Sequence, residues 1–143
     1  LFVISKEPIP ASQLTQRLED PAAGARSIFE GRVRNRADGR EVTSLTYEAY
    51  EALAVKEGNR ILAEARERFD VLHVACVHRV GHLQIGECAV WVGVAAAHRE
   101  AAFGACHYIV EELKNRVPIW KKETYAQDDP VWVRAISSEP APT

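Results

Sequence analysis

The alternation of apolar and polar positions along the chain predicts short strands, one short helix and two long ones. Leu1 to Ile4 is a short strand, broken by Pro8 and Pro10, and Ser12 to Glu19 is a short helix with Leu14 and Leu18 one turn apart. Ala25 to Arg34 alternates as a strand, with Phe29, Gly31 and Val33 on one face and Glu30, Arg32 and Arg34 on the other. Asn35 to Arg40 is a polar turn containing Asp38-Gly39. Val42 to Tyr50 then resumes as a strand, so the two strands are expected to form a hairpin.

From Glu51 to Phe69 the residues Leu53, Ala54, Ile61, Leu62, Ala65 and Phe69 recur at helical spacing, with Gly58 as a local weakness. Val71 to Val80 is a β-branched strand, Gly81 to Glu87 a turn centred on Gly86, and Cys88 to Ala95 a nearly all-apolar strand of the kind covered on both faces. Glu100 to Lys114 is the second long helix, stopped before Pro118. Ile119 to Glu123 and Val131 to Ile136 complete the pattern as short strands, and residues 137–143 are expected to fray as a tail. This order predicts an α+β domain over residues 1–136, with helices packed on a sheet rather than a doubly wound fold.

Charge narrows the function classes. Eighteen Lys and Arg against 20 Asp and Glu give a net charge of -2, which argues against a surface basic throughout for nucleic acid. No apolar window is long enough to span a membrane and the start lacks the features of a signal peptide, so a cytoplasmic location is expected. Cys76, Cys88 and Cys106 form no CxxC pair, which fits a reducing compartment. Cys76 and Cys88 read as core residues, and Cys106 beside His107 is the one thiol with a candidate role.

Three basic clusters remain within the neutral total. Arg32, Arg34, Arg36 and Arg40 gather at the end of the expected hairpin, where they either pair with Glu30 and Glu41 or hold a phosphate or carboxylate. His98-Arg99 stands at the start of a helix, where cations oppose the helix dipole and suit an anion. Lys114, Arg116, Lys121 and Lys122 surround Val117-Pro118-Ile119-Trp120. The first two complement a helix C-terminus, but Lys121 and Lys122 are neighbours on a strand, so one of them must turn inward or toward an interface. A lysine among apolar groups or like charges becomes a usable base or nucleophile. Arg99 and Lys114 are 15 residues apart on one helix, roughly 22 Å. If both serve one small ligand, the site is shared between two copies of the chain.

Nucleotide-cradle, zincin and hydrolase-elbow motifs are absent, and His78 and His82 lie across a strand end and turn rather than on one helix face, so no metal site is expected. The runs Phe29-Glu30-Gly31-Arg32-Val33-Arg34-Asn35, Leu45 to Tyr50, His78-Arg79-Val80-Gly81, His98-Arg99, Leu113-Lys114 and Pro118-Ile119-Trp120-Lys121-Lys122-Glu123 together resemble the large, catalytic subunit of molybdopterin synthase. The resemblance runs in order from about Ala25 to Val133. It implies an α/β hammerhead with an additional antiparallel β subdomain, and a homodimer carrying a small ubiquitin-like sulfur-carrier subunit at each end of a heterotetramer. The carrier's C-terminal Gly-Gly thiocarboxylate would give its sulfur to cyclic pyranopterin monophosphate, forming the molybdopterin dithiolene.

By the same resemblance, Lys114 and Lys121 are the catalytic lysines. Arg32, Val33 and Arg34 bind substrate, as do His98 and Arg99 from the neighbouring chain, Lys122 and Glu123 line the site, and Phe29 packs near the carrier tail. No cofactor is implied, nor any nucleic-acid or membrane partner. Two departures stand out: Ala96-Ala97 occupies a stretch where relatives commonly have a Ser, and Gly58-Asn59 interrupts a helix. Two rivals stay open: persulfide transfer through Cys106 with His107, and a non-catalytic module whose arginines hold RNA or another phosphate ligand.

Overall fold

The computed structural model describes residues 1–126 and 131–134. Its elements run β1 (Phe2–Ser5), α1 (Ala11–Gln16), β2 (Ala25–Arg32), β3 (Arg36–Ala37), β4 (Arg40–Ala49), α2 (Glu51–Arg68), β5 (His73–Arg79), β6 (Gly81–Gln84), β7 (Cys88–Ala96), α3 (Arg99–Arg116), β8 (Ile119–Tyr125) and β9 (Val131–Arg134). The long elements stand where periodicity places them. The expected tail at residues 137–143 lies outside the described residues, as do the last two positions of the strand expected to end at Ile136.

Two sheets share the chain. The first is four-stranded in the order β1-β5-β7-β2, with β1 parallel to β5 and the other pairs antiparallel. Ile61, Leu62 and Ala65 of α2 and Ala105, Ile109 and Leu113 of α3 pack with Val74, Cys76, Val92 and Val94 of this sheet. Leu18, just beyond α1, joins Trp91 and Ala95 in a separate cluster that Leu14 also touches. Side chains alternate along a strand, so β7 feeds both clusters, and its nearly continuous apolar run follows from that double burial. The second sheet is wholly antiparallel. In it β4 pairs with β8 along one edge and with β3 and β6 along the other, and β9 lies outside β8. This is an α+β fold: one helix-covered sheet with an additional antiparallel β unit.

Three expectations need correction. β2 does not form a hairpin with β4; it pairs with β7, and the tight hairpin around Asp38-Gly39 is the short β3–β4 pair. A register shift between Gly31 and Arg32 ends β2, and Val33 then bonds through its backbone to Glu87 and Gly86, which turns the chain toward the second sheet. The segment Gly81 to Glu87 is not all turn, because Gly81–Gln84 is a strand whose Leu83 is fully buried beside exposed His82 and Gln84. One inward apolar residue between glycines is too short an alternation to read.

Gly58 is also more than a weak point in a helix. A Cβ there would lie 2.2 Å from Phe2 Cγ, so the missing side chain is what lets β1 lie against α2.

Candidate active site

The two sheets meet at the corner where β5 runs into β6. Gly81 makes that corner with φ +100, a backbone conformation that side-chain-bearing residues avoid. Just before the corner, His78 ends the apolar run of β5; just across it, Tyr47 of β4 stands opposite both Gly81 and Lys121. The His78 and Tyr47 rings meet edge to face at 5.2 Å. Above them opens a cavity of about 310 Å³, whose lining includes Phe29, Arg32, Arg34, Lys114, Lys121 and these two rings. Val110 and Leu113 of α3 and Val90 and Val92 of β7 supply an apolar wall.

The cavity therefore gathers Phe29, Arg32, Arg34, Lys114 and Lys121 from β2, the segment after it, the last turn of α3 and β8. The other residues singled out from the sequence lie outside its lining. Val33 is buried in the core at 4% exposure. His98 caps α3 from an extended backbone without a side-chain bond to the helix, and both His98 and Arg99 are exposed at the end of α3 away from Lys114. Lys122, on the alternate face of β8 from Lys121, pairs across the sheet with Thr46. Glu123 is buried directly behind Lys121.

The electrostatics divide rim from floor. Arg32 bonds to Glu30 at 2.6 Å and to the Gly86 carbonyl at 2.9 Å, so one part of the pairing alternative for this cluster holds. Lys121 Nζ lies 3.0 Å from Glu123 Oε1, and the Tyr125 hydroxyl donates to Glu123 Oε2. The Arg40 guanidinium covers the Tyr125 ring at 3.7 Å. The setting of Lys121 is thus an ion pair between a half-buried amine and a buried carboxylate, not an isolated amine among apolar groups. On the floor, burial pushes the His78 imidazole down to about 4, and burial with the Glu123 charge pushes the Tyr47 phenol up to about 12. Both are neutral near pH 7. A cationic rim over a neutral polar floor suits an anion whose body is uncharged.

The remaining basic residue of the α3 end is structural. Arg116 bonds to Glu57 and Glu64 at 2.6 Å each and to Glu112 at 3.0 Å, tying α3 to α2. The Cys106 thiol is pushed up by burial and lies outside the cavity, while His107 is exposed; adjacent helical residues do not face each other, so no thiol–imidazole pair forms. Among the described residues no three His, Cys, Asp or Glu are grouped to hold a metal ion. No helix among them is long and apolar enough to cross a membrane.

Tyr47 and His78 are the polar cavity residues that sequence reasoning did not assign to a site. The signal for His78 was a polar residue closing the run Val74-Ala75-Cys76-Val77, since a buried imidazole needs a reason to be there.

Residues 4–116 match the profile of the MoaE protein family. The chain belongs to that family. Relatives named molybdopterin synthase catalytic subunit include a Thermoplasma volcanium protein, 40% identical over 129 residues that cover 90% of this chain and 94% of the relative. The chain spans only 33% of the length of a Drosophila willistoni relative with the same name, to which it is 42% identical over 86% of its own length. Among solved structures, molybdopterin synthase from Staphylococcus aureus superposes with a TM-score of 0.85 at 37% identity, covering 90% of this chain and 93% of that one. A Helicobacter pylori complex of subunits 1 and 2 of molybdopterin-converting factor has a TM-score of 0.77 at 22% identity, covering 98% and 94%, and so speaks for the fold alone.

Proposed function

We propose that this chain acts as the catalytic subunit of a molybdopterin synthase. It transfers sulfur from the C-terminal thiocarboxylate of a small ubiquitin-like carrier to cyclic pyranopterin monophosphate, building the dithiolene of molybdopterin. The observation that carries this reading is the convergence of Arg32, Arg34, Lys114 and Lys121 on one cavity with a neutral floor. Both reactants are anions, and bringing a thiocarboxylate against a cyclic phosphate needs fixed positive charge at the point of contact. Lys114 stabilises charge beside the thiocarboxylate, and Lys121, held by Glu123, does so on the pterin side. Phe29 packs against the incoming carrier tail.

The proposal includes a homodimer with a carrier subunit at each end. His98 and Arg99 stand at the far end of α3, roughly 22 Å from Lys114 along the helix. They serve a cavity only from a second copy of the chain. The dimer arm is tested by mixing Lys114→Ala chains with Arg99→Ala chains. Each homodimer is inactive, and mixed dimers regain turnover because one composite site is intact.

The whole reading is tested by incubating the protein with thiocarboxylated carrier and cyclic pyranopterin monophosphate and assaying dithiolene. Product is expected from the native chain and none from Lys114→Ala. A folded native chain that yields no product overturns the proposal.

A further inference from the structure

We propose that His78 is the hydrogen-bond acceptor of the cavity: its Nε2 receives an N–H or O–H of the bound heterocycle and so determines which ring system the cavity holds. The inference rests on the function proposed above, because it assigns the part of a phosphate-bearing pterin that the cations do not.

The tautomer follows from geometry. His78 Nδ1 lies 2.8 Å from the Arg79 carbonyl oxygen, which can only accept, so Nδ1 carries the proton and donates it. In the neutral ring that leaves Nε2 as a bare lone pair. Among the described residues nothing bonds to Nε2. His78 is 5% exposed and lines the cavity, so the cavity is where a ligand can reach its ring. The edge-on Tyr47 ring on one side and the Arg79 carbonyl on the other hold the imidazole plane.

The surrounding groups give this lone pair its value. The residues that line the cavity with it include Arg32 and Arg34 at the β2 end, Lys114 from α3, Lys121 from β8 and Tyr47 from β4. The arginines and lysines can only donate, and β7 presents Ala89, Val90 and Val92, which do neither. Such a lining satisfies every acceptor on a phosphate or thiocarboxylate. A ligand that also carries ring N–H groups needs a side-chain acceptor as well, and apart from the amphoteric Tyr47 hydroxyl His78 Nε2 is that acceptor. Burial keeps the ring neutral, so the lone pair is present at working pH. A site built to accept a hydrogen discriminates against an analogue lacking it, because the buried acceptor is then left unpaired.

The test uses the full chain. His78→Phe removes the acceptor, whereas His78→Gln restores an oxygen near the place of Nε2. His78→Phe is expected to weaken binding of cyclic pyranopterin monophosphate by roughly tenfold, one hydrogen bond's worth, and to raise KM more than it lowers kcat. His78→Gln recovers most of the loss, and carrier affinity is the same in all three proteins. Nitrogen NMR of histidine-labelled native protein supplies a readout independent of folding: the Nε2 resonance moves toward the hydrogen-bonded value on adding the pterin, while Nδ1 stays protonated. If the native chain binds the pterin and turns it over, but His78→Phe binds equally well or Nε2 does not move, this inference fails and the function stands. If the folded native chain neither binds nor converts the pterin, both fall.

Discussion

Replacing Lys121 with Met removes a charge from the cavity and also leaves a buried carboxylate without its cation. Lys121 Nζ and Glu123 Oε1 are 3.0 Å apart, with side chains 25% and 7% exposed. At that separation and an effective dielectric of about 20, the Coulomb attraction is about 5.5 kcal/mol before desolvation. Desolvation of both ions takes back most of it, which leaves a loss of about 1–3 kcal/mol when one partner of a mostly buried charged pair is removed. After Lys121→Met, the Tyr125 hydroxyl is the one side-chain donor left to Glu123 among the described residues. The double variant Lys121→Met/Glu123→Gln has no stranded charge and should be more stable than Lys121→Met alone. Urea unfolding of the native chain, both single variants and the double variant, at one protein concentration, gives the coupling energy directly. We expect about 1–2 kcal/mol; a value under about 0.5 kcal/mol would mean that the pair behaves as an exposed one and would refute the account of Lys121 as a clamped cation. Turnover separates the two roles, since the double variant regains stability while remaining inactive.

Gly58→Ala should destabilise the chain although Ala is favoured in helices by about 1 kcal/mol, because the new Cβ falls 2.2 Å from Phe2 Cγ; thermal unfolding checks the sign, and Phe2→Leu in the same chain should relieve the cost. Stability should fall in acid as Glu64 is protonated. Its carboxyl is held down to about 2 from 4.5, first by the Arg116 hydrogen bonds and then by Tyr108. A depressed carboxylate stabilises fully above the unfolded value, and the gain is lost as pH drops from 4.5 toward about 2. Arg116→Gln should flatten the melting temperature against pH over that window. Cys106→Ser should leave turnover near the native value while Lys114→Ala lowers it by about 100-fold or more in the dithiolene assay; the reverse pattern would restore the persulfide reading.

The fold was largely legible because its long elements bury one face or two. The spacing of Ile61, Leu62 and Ala65 and the unbroken run of β7 follow from contacts that each element must make. Strand pairing was not legible. The alternation in Ala25 to Arg34 says which face is inward but not which strand lies alongside, and the bulge at Gly31/Arg32 that turns the chain away leaves no mark beyond one glycine.

The candidate site divides along the same line. Its cations are conspicuous, because charge clusters in a neutral chain require an explanation. Their partners are not. Glu57, Glu64 and Glu112 turn Arg116 into a tie between helices, and only the placing of Glu57 and Glu64, 59 and 52 residues before Arg116, leaves Lys114, two residues earlier, as the cation facing the cavity from this end of α3. The neutral floor is the least visible part, since it exists only where the turn at Gly81 brings the end of one sheet against the middle of the other. His78 and Tyr47 come from separate sheets and meet only at that corner. A rim of cations alone would hold many anions. It is the corner, with one fixed lone pair beneath four donor-only side chains, that gives the cavity a basis for choosing among them.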